Sequence, residues 1–99
     1  MFARVWEYEV PADQVDGFVA AYGPTGDWAR LFARGDGFAR TELYRSTERP
    51  TRFITVDLWR SQAAWQEFMG RWGLAYAELD QAMEPLAAGG TLLVEGSSG

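Results

Sequence analysis

Three features of the sequence predict an α+β fold, an antiparallel four-stranded sheet with helices on one face. Four segments read as strands by their period of two or their β-branched content; three others repeat apolar residues at helical steps, and short polar loops join them. The order along the chain is strand, helix, helix, strand, strand, helix, strand. With 99 residues, 47% of them hydrophobic and 15% aromatic, the chain has material for one core.

In residues 2–10, Phe2, Arg4, Trp6, Tyr8 and Val10 share one face of a strand, and Ala3, Val5, Glu7 and Glu9 share the other. Pro11 suits the first turn of a helix, whose buried stripe is Val15, Phe18, Val19 and Tyr22. "YGPTG" ends that helix. Asp27 is placed to cap a short second one carrying Trp28, Leu31 and Phe32, and "RGDG" then turns the chain. Residues 38–46 and 51–59 make a hairpin about "STERPT", since Pro50 cannot donate to a central ladder. From Ser61 as N-cap, Trp65, Phe68, Trp72, Tyr76, Leu79 and Met83 mark one long helical region. Gly70 and Gly73 bend or split it, and Pro85 closes it. "TLLVE" is the last strand, giving a domain over 1–95 and a flexible tail over 96–99. This order is that of a ferredoxin-like split βαβ unit.

The third strand has two apolar faces, Ile54, Val56 and Leu58 on one and Phe53, Thr55, Asp57 and Trp59 on the other. Helices can cover only one side of the sheet. A homodimer through the uncovered side is therefore expected.

His, Cys, Lys and Asn are absent from the chain. Cys/His zinc sites, thiolate nucleophiles, Ser-His-Asp triads, Schiff-base lysines and histidine-ligated haem are excluded with them. Fourteen acidic residues against nine basic ones, with the arginines scattered, speak against nucleic acid as a partner. "MFARVWEYEV" reads as a strand rather than a signal peptide, and no apolar run approaches the roughly 20 residues of a membrane span, so a cytoplasmic location is expected.

Asp57 stands out inside "RFITVDLWR". A buried carboxylate needs a partner, so one reading is an internal Arg–Asp pair that fixes register, with Arg4, Arg40 and Arg52 as strand arginines and the first two on faces that carry aromatic residues. A second is a carboxylate that takes a proton from a ligand, and a third is an exposed edge position. Glu42 in "FARTELYR" is the next acid of interest, most simply a paired strand residue. The stripe Trp65, Phe68, Trp72 and Tyr76 reads first as helix packing. Five Trp and four Tyr also fit the walls of a pocket for a planar ligand. "GPTGDWAR" lacks the Lys-Ser/Thr end of a phosphate loop, and "RGD" at 34–36 is a turn.

Taken in order, "VWEYEV", "FVAAYGPTGDWARLF", "GFARTELYR", "RFITVDLWRS", "AWQEF" and "YAELD" resemble the antibiotic biosynthesis monooxygenase domain family of the dimeric α/β-barrel superfamily. The resemblance implies a homodimer with packed sheets and, in each subunit, a cleft between sheet and helices. It also implies oxidation of a small aromatic or quinonoid, polyketide-type substrate by molecular oxygen with no cofactor and no metal. Under it, the candidate catalytic residues are Asp57 as proton acceptor, Trp65 and Arg40. The candidate substrate-binding residues are Trp6, Arg4, Glu42, Trp59, Phe68, Trp72 and Tyr76, with Arg4 or Arg40 stabilising negative charge. The chain has no Asn, which some members place beside the substrate, and "PLAAGGT" lacks the acid that relatives often carry before the last strand. The alternative is a non-catalytic module of the same fold that binds a small ligand or only dimerises.

Overall fold

The computed structural model describes residues 1–87 and 90–98. Strands β1 (Phe2–Glu9), β2 (Phe38–Arg45), β3 (Arg52–Trp59) and β4 (Thr91–Ser97) form one sheet in the order β2-β3-β1-β4, with every neighbouring pair antiparallel. Helices α1 (Val15–Tyr22), α2 (Asp27–Phe32) and α3 (Gln62–Ala87) complete the ferredoxin-like architecture, with a 3-10 turn at Ala12–Gln14 leading into α1.

Burial follows the pleat. Along β3 the buried residues are Phe53, Thr55, Asp57 and Trp59, while Ile54, Val56 and Leu58 on the opposite face are only half-buried. Cross-strand pairing places Phe2, Arg4, Trp6 and Tyr8 of β1 beside the buried set, since direct partners in an antiparallel ladder share a face. The helices cover this inner face. Phe2, Phe18, Phe53 and Trp59 are almost fully shielded from water, each worth about 2–3 kcal/mol of burial.

Local signals act largely as the sequence predicts. The Ser61 Oγ accepts from the Ala64 N–H at 3.1 Å and caps α3. The bend expected from Gly70 and Gly73 falls between them, at Trp72, whose φ of −118° and ψ of 15° are not helical. Four details differ. Val19, placed by its spacing in the buried stripe of α1, is exposed at 41%, and Ala21 is buried with Val15, Phe18 and Tyr22 instead. Asp27 is the first residue of α2 rather than its cap, and it pairs with Arg30 one turn on at 3.4 Å. Pro85 sits inside the last turn, so α3 continues to Ala87. Gly96 and Ser97, read from sequence as the start of a tail, pair with Ala3 and Phe2 because β1 offers a free ladder edge that far.

One irregularity matters for the site. Between Phe38 and Arg40 the β2–β3 register shifts: Phe38 lies opposite Trp59, whereas Arg40 lies opposite Leu58. The bulge at Ala39 changes the parity of everything after it. Thr41 and Leu43 join the inner face, and Arg40, Glu42 and Tyr44 go to the outer one.

Two glycines separate packing from propensity. A Cβ on Gly37 would lie 2.3 Å from the Ala64 Cβ, where the start of β2 meets α3, whereas a Cβ on exposed Gly70 would meet nothing within 4 Å. Urea denaturation should show Gly37→Ala destabilised by about 1–3 kcal/mol from overpacking. Gly70→Ala should be stabilised by about 0.5–1 kcal/mol as helix propensity improves.

Candidate functional site

The kink at Trp72 gives α3 two jobs. Before it, Ala64 and Phe68 are buried in the core, with the Phe68 ring 5.1 Å from that of Trp59. After it, Tyr76, Asp80, Met83, Glu84 and Ala87 recur at helical spacing along one side of a cavity of about 430 Å³. The sheet supplies the floor through Trp6, Tyr8, Thr41, Thr55 and Asp57, and α1 and α2 add Tyr22 and Trp28. Gly90 closes the rim. Its Cβ would fall 2.2 Å from the Tyr8 ring, so only glycine lets the chain pass so near.

The aromatic lining is continuous. Ring centroids are 6.2 Å apart for Trp6 and Tyr8, 5.1 Å for Tyr8 and Tyr22, 6.0 Å for Tyr22 and Trp28, and 5.0 Å for Trp28 and Tyr76. Each ring rests on the next. A wall of this kind holds its shape without a ligand and offers π faces to a planar one.

Asp57 lies on the floor at 7% exposure. Thr41 Oγ1 donates to Asp57 Oδ1 at 2.8 Å, a contact the β2 bulge makes possible by turning Thr41 inward. No arginine pairs with this carboxylate among the described residues. Arg4 is its cross-strand partner, but the guanidinium forms an ion pair with Glu95 on β4 at 2.9 Å and lies over the Trp65 ring at 4.2 Å. Burial therefore dominates and pushes the Asp57 carboxyl from 3.8 up to about 6, with the Thr41 hydroxyl and the Arg4 charge opposing it. Tyr8, Tyr22 and Tyr76 shift the other way from usefulness as bases: burial raises all three, Tyr22 to about 12. At neutral pH their hydroxyls keep their protons and can donate hydrogen bonds. Asp57 is then a lining group whose protonation changes near neutrality.

Of the residues singled out from sequence, the cavity brings together Asp57, Trp6 and Tyr76. Arg4 stands one layer behind, between Trp6 and Trp65. Trp65 packs on Trp59, Phe68 and Tyr76 rather than lining the cavity, and Trp59 and Phe68 are core. Trp72 lies at the kink beside Arg34, its ring 5.1 Å from that guanidinium, on a separate hollow of about 60 Å³. Arg40 and Glu42 lie on the opposite side of the sheet, paired with each other at 2.8 Å, and Tyr44 also donates to Glu42. Unbroken alternation from Phe38 would have turned them inward; the bulge does not.

Tyr8, Tyr22, Trp28, Thr41, Asp80 and Glu84 line the cavity without having been chosen as site residues. Tyr8 shares the pleat of Trp6, and Asp80 and Glu84 follow Tyr76 at steps of four, so period alone could have found these three. Thr41 required knowledge of the bulge. Among the described residues, no group of three His, Cys, Asp or Glu side chains is arranged to hold a metal, and no helix is long and apolar enough to cross a membrane.

Comparison with known proteins agrees with this architecture. The family model described as antibiotic biosynthesis monooxygenase matches residues 1–72. A candidate antibiotic biosynthesis monooxygenase from Nitrosomonas europaea superposes with a TM-score of 0.74 at 16% identity, over 98% of this chain and 88% of that one. SnoaB, a cofactor-independent oxygenase from Streptomyces nogalater, superposes with a TM-score of 0.64 at 20% identity, over 98% and 94%. At these identities the structures share the fold. No curated protein matches the chain in sequence.

A raised carboxyl pKa is also a statement about stability. The folded state favours protonated Asp57, so the contribution is fully present below about pH 3.8 and is lost as pH rises through about 6. Asp57→Asn keeps an oxygen for Thr41 and removes the buried charge. In paired urea denaturation series, the variant should match the parent near pH 4 and exceed it by on the order of 2–3 kcal/mol above pH 7.

Proposed function

The chain belongs to the antibiotic biosynthesis monooxygenase family, and from that premise we propose that it oxidises a small aromatic or quinonoid compound with molecular oxygen and without a cofactor. The observation that carries the reading is the Asp57 carboxyl, buried without a counter-ion on the floor of an aromatic cavity and raised to about 6. Such a group holds little charge-stabilising company and gains by taking a proton.

In this reading the rings of Trp6, Tyr8 and Trp28 hold a planar substrate against the sheet and exclude water. Asp57 removes a proton from an acidic C–H or O–H of the ligand. The resulting electron-rich anion passes electrons to dioxygen. For an anthrone-type methylene, one oxygen atom ends in the new carbonyl and the other leaves as water with the two hydrogens, so the substrate itself supplies the electrons. Tyrosine hydroxyls donate hydrogen bonds to developing oxygen anions. Arg4 adds a positive charge from behind Trp6, the role first given to Arg4 or Arg40. SnoaB, of the same fold, is a cofactor-independent oxygenase, which supports carrying that chemistry to this cavity.

The other face of the sheet completes the proposal. Val5, Ile54, Val56 and Leu58 form an apolar strip that none of the helices covers, continuous with Val94 on β4 at 56% exposure. A second copy of the chain applied to this strip would bury it, and the protein acts as a homodimer.

Turnover of an anthrone under air, followed by absorbance with a chelator present, tests the chemistry. Asp57→Asn should lower the rate at least about 100-fold, and the parent rate should climb with pH through about 6. Thr41→Val removes the hydrogen bond that favours the ionised carboxylate and should move that midpoint upward. Ligand binding with no product in any condition would instead favour a non-catalytic binding module. Sedimentation should give twice the 11.1 kDa chain mass, and Val56→Arg should return it to one.

A further inference from the structure

We propose that the ligand of this cavity carries a basic nitrogen, so that the site selects cationic aromatic compounds and rejects anionic ones. The inference rests on the reading of the cavity as an aromatic-ligand site and names the charge class of that ligand. Its ground is the sign of the lining. Asp57 on the floor and Asp80 and Glu84 on the second half of α3 all line the cavity, and no arginine does. Lysine is absent from the chain altogether.

None of these three carboxylates has an ion-pair partner among the described residues, although Arg4, Arg30, Arg40, Arg49 and Arg52 are all engaged with acids elsewhere. Arg4, the cation nearest the site, is paired with Glu95 and acts on Asp57 and Tyr76 only from behind the wall, without lining the cavity. The negative charge around the cavity is thus left for whatever enters it.

The walls point the same way. Linked indole and phenol rings, from Trp6 through Tyr8 and Tyr22 to Trp28 and Tyr76, present electron-rich faces that attract an ammonium group as well as a planar ring. Asp80 and Glu84 are exposed, four residues apart on one helix face at the edge of this wall. An ammonium group at that edge would meet carboxylates and ring faces together. The aromatic part of the same ligand would then lie over the floor, with its acidic group toward Asp57. A carboxylate-bearing ligand would face repulsion from the rim and from the floor.

Three catechols that differ only in the side-chain charge test this: dopamine, 4-ethylcatechol and 3,4-dihydroxyphenylacetate. Anaerobic calorimetry at pH 7 and low salt reads binding without turnover. Dopamine should bind roughly tenfold tighter than 4-ethylcatechol, and dihydroxyphenylacetate weaker than both. The amine-to-neutral ratio should shrink on raising salt to 0.5 M and fall to within about threefold in Asp80→Asn/Glu84→Gln, whose replaced groups are exposed and leave the fold intact. A flat or reversed ranking among catechols that do bind overturns the charge assignment and leaves the aromatic site standing. If none of the three binds at millimolar concentration, the aromatic reading itself falls and takes the charge assignment with it.

Discussion

The pairing of β1 with β3 is the constraint on which the rest depends. It sets Arg4 directly opposite Asp57, the arrangement in which an ion pair would be simplest, and yet the two do not pair. β4 decides the matter by offering Glu95 opposite Arg4 on its other side, and Trp65 by offering a ring face. A carboxylate with a guanidinium in contact would be held well below its ordinary range and would be structural. Asp57 has a single threonine hydroxyl, a nearby cavity and almost no water. Its chemistry follows from what Arg4 does with its charge.

The aromatic residues divide along the same line. Trp59, Phe32, Phe38 and Phe68 interlock at centroid distances of 5.1–5.6 Å and hold α2 and the first half of α3 to the sheet. Trp6, Tyr8, Tyr22, Trp28 and Tyr76 carry the packing on to the cavity. The irregular backbone at Trp72 marks the border, since the helix changes course there and its second half runs along the site. One cluster supplies rigidity that the other uses: the rings that line the cavity are held in place by a close-packed core beside them.

Much of this was legible in the sequence. The period of two along Phe2 to Val10 and along Phe53 to Trp59 fixed which side chains share a face within each strand. Which side of the sheet Asp57 takes was not legible, because it depends on the β1–β3 register that sets Trp6 and Asp57 on one face. The bend in α3 was announced by its two glycines. What could not be read was parity across a bulge: Ala39 carries no mark that separates it from an ordinary strand residue, and one extra residue exchanged Arg40 and Glu42 for Thr41. Depth was equally hidden. A stripe such as Trp65, Phe68, Trp72 and Tyr76 has one helical phase, and only the kink reveals that Tyr76 reaches a cavity while Phe68 fills a core. The choice of Arg4 between two acids on neighbouring strands depends on side-chain reach, which a pattern of residue types does not contain.

In the proposed reading the sheet has chemistry on one side and assembly on the other, and the buried charge is the feature that gives the first side its meaning. Its state can be observed directly. Carbon-detected NMR of the Asp57 carboxyl, assigned by comparison with Asp57→Asn, follows its protonation from pH 3 to 9. A midpoint near 6 is the predicted result. A midpoint at or below about 4, the range of an ordinary or ion-paired aspartate, would show that Arg4 or water compensates the charge, and would contradict the assignment of Asp57 as the base.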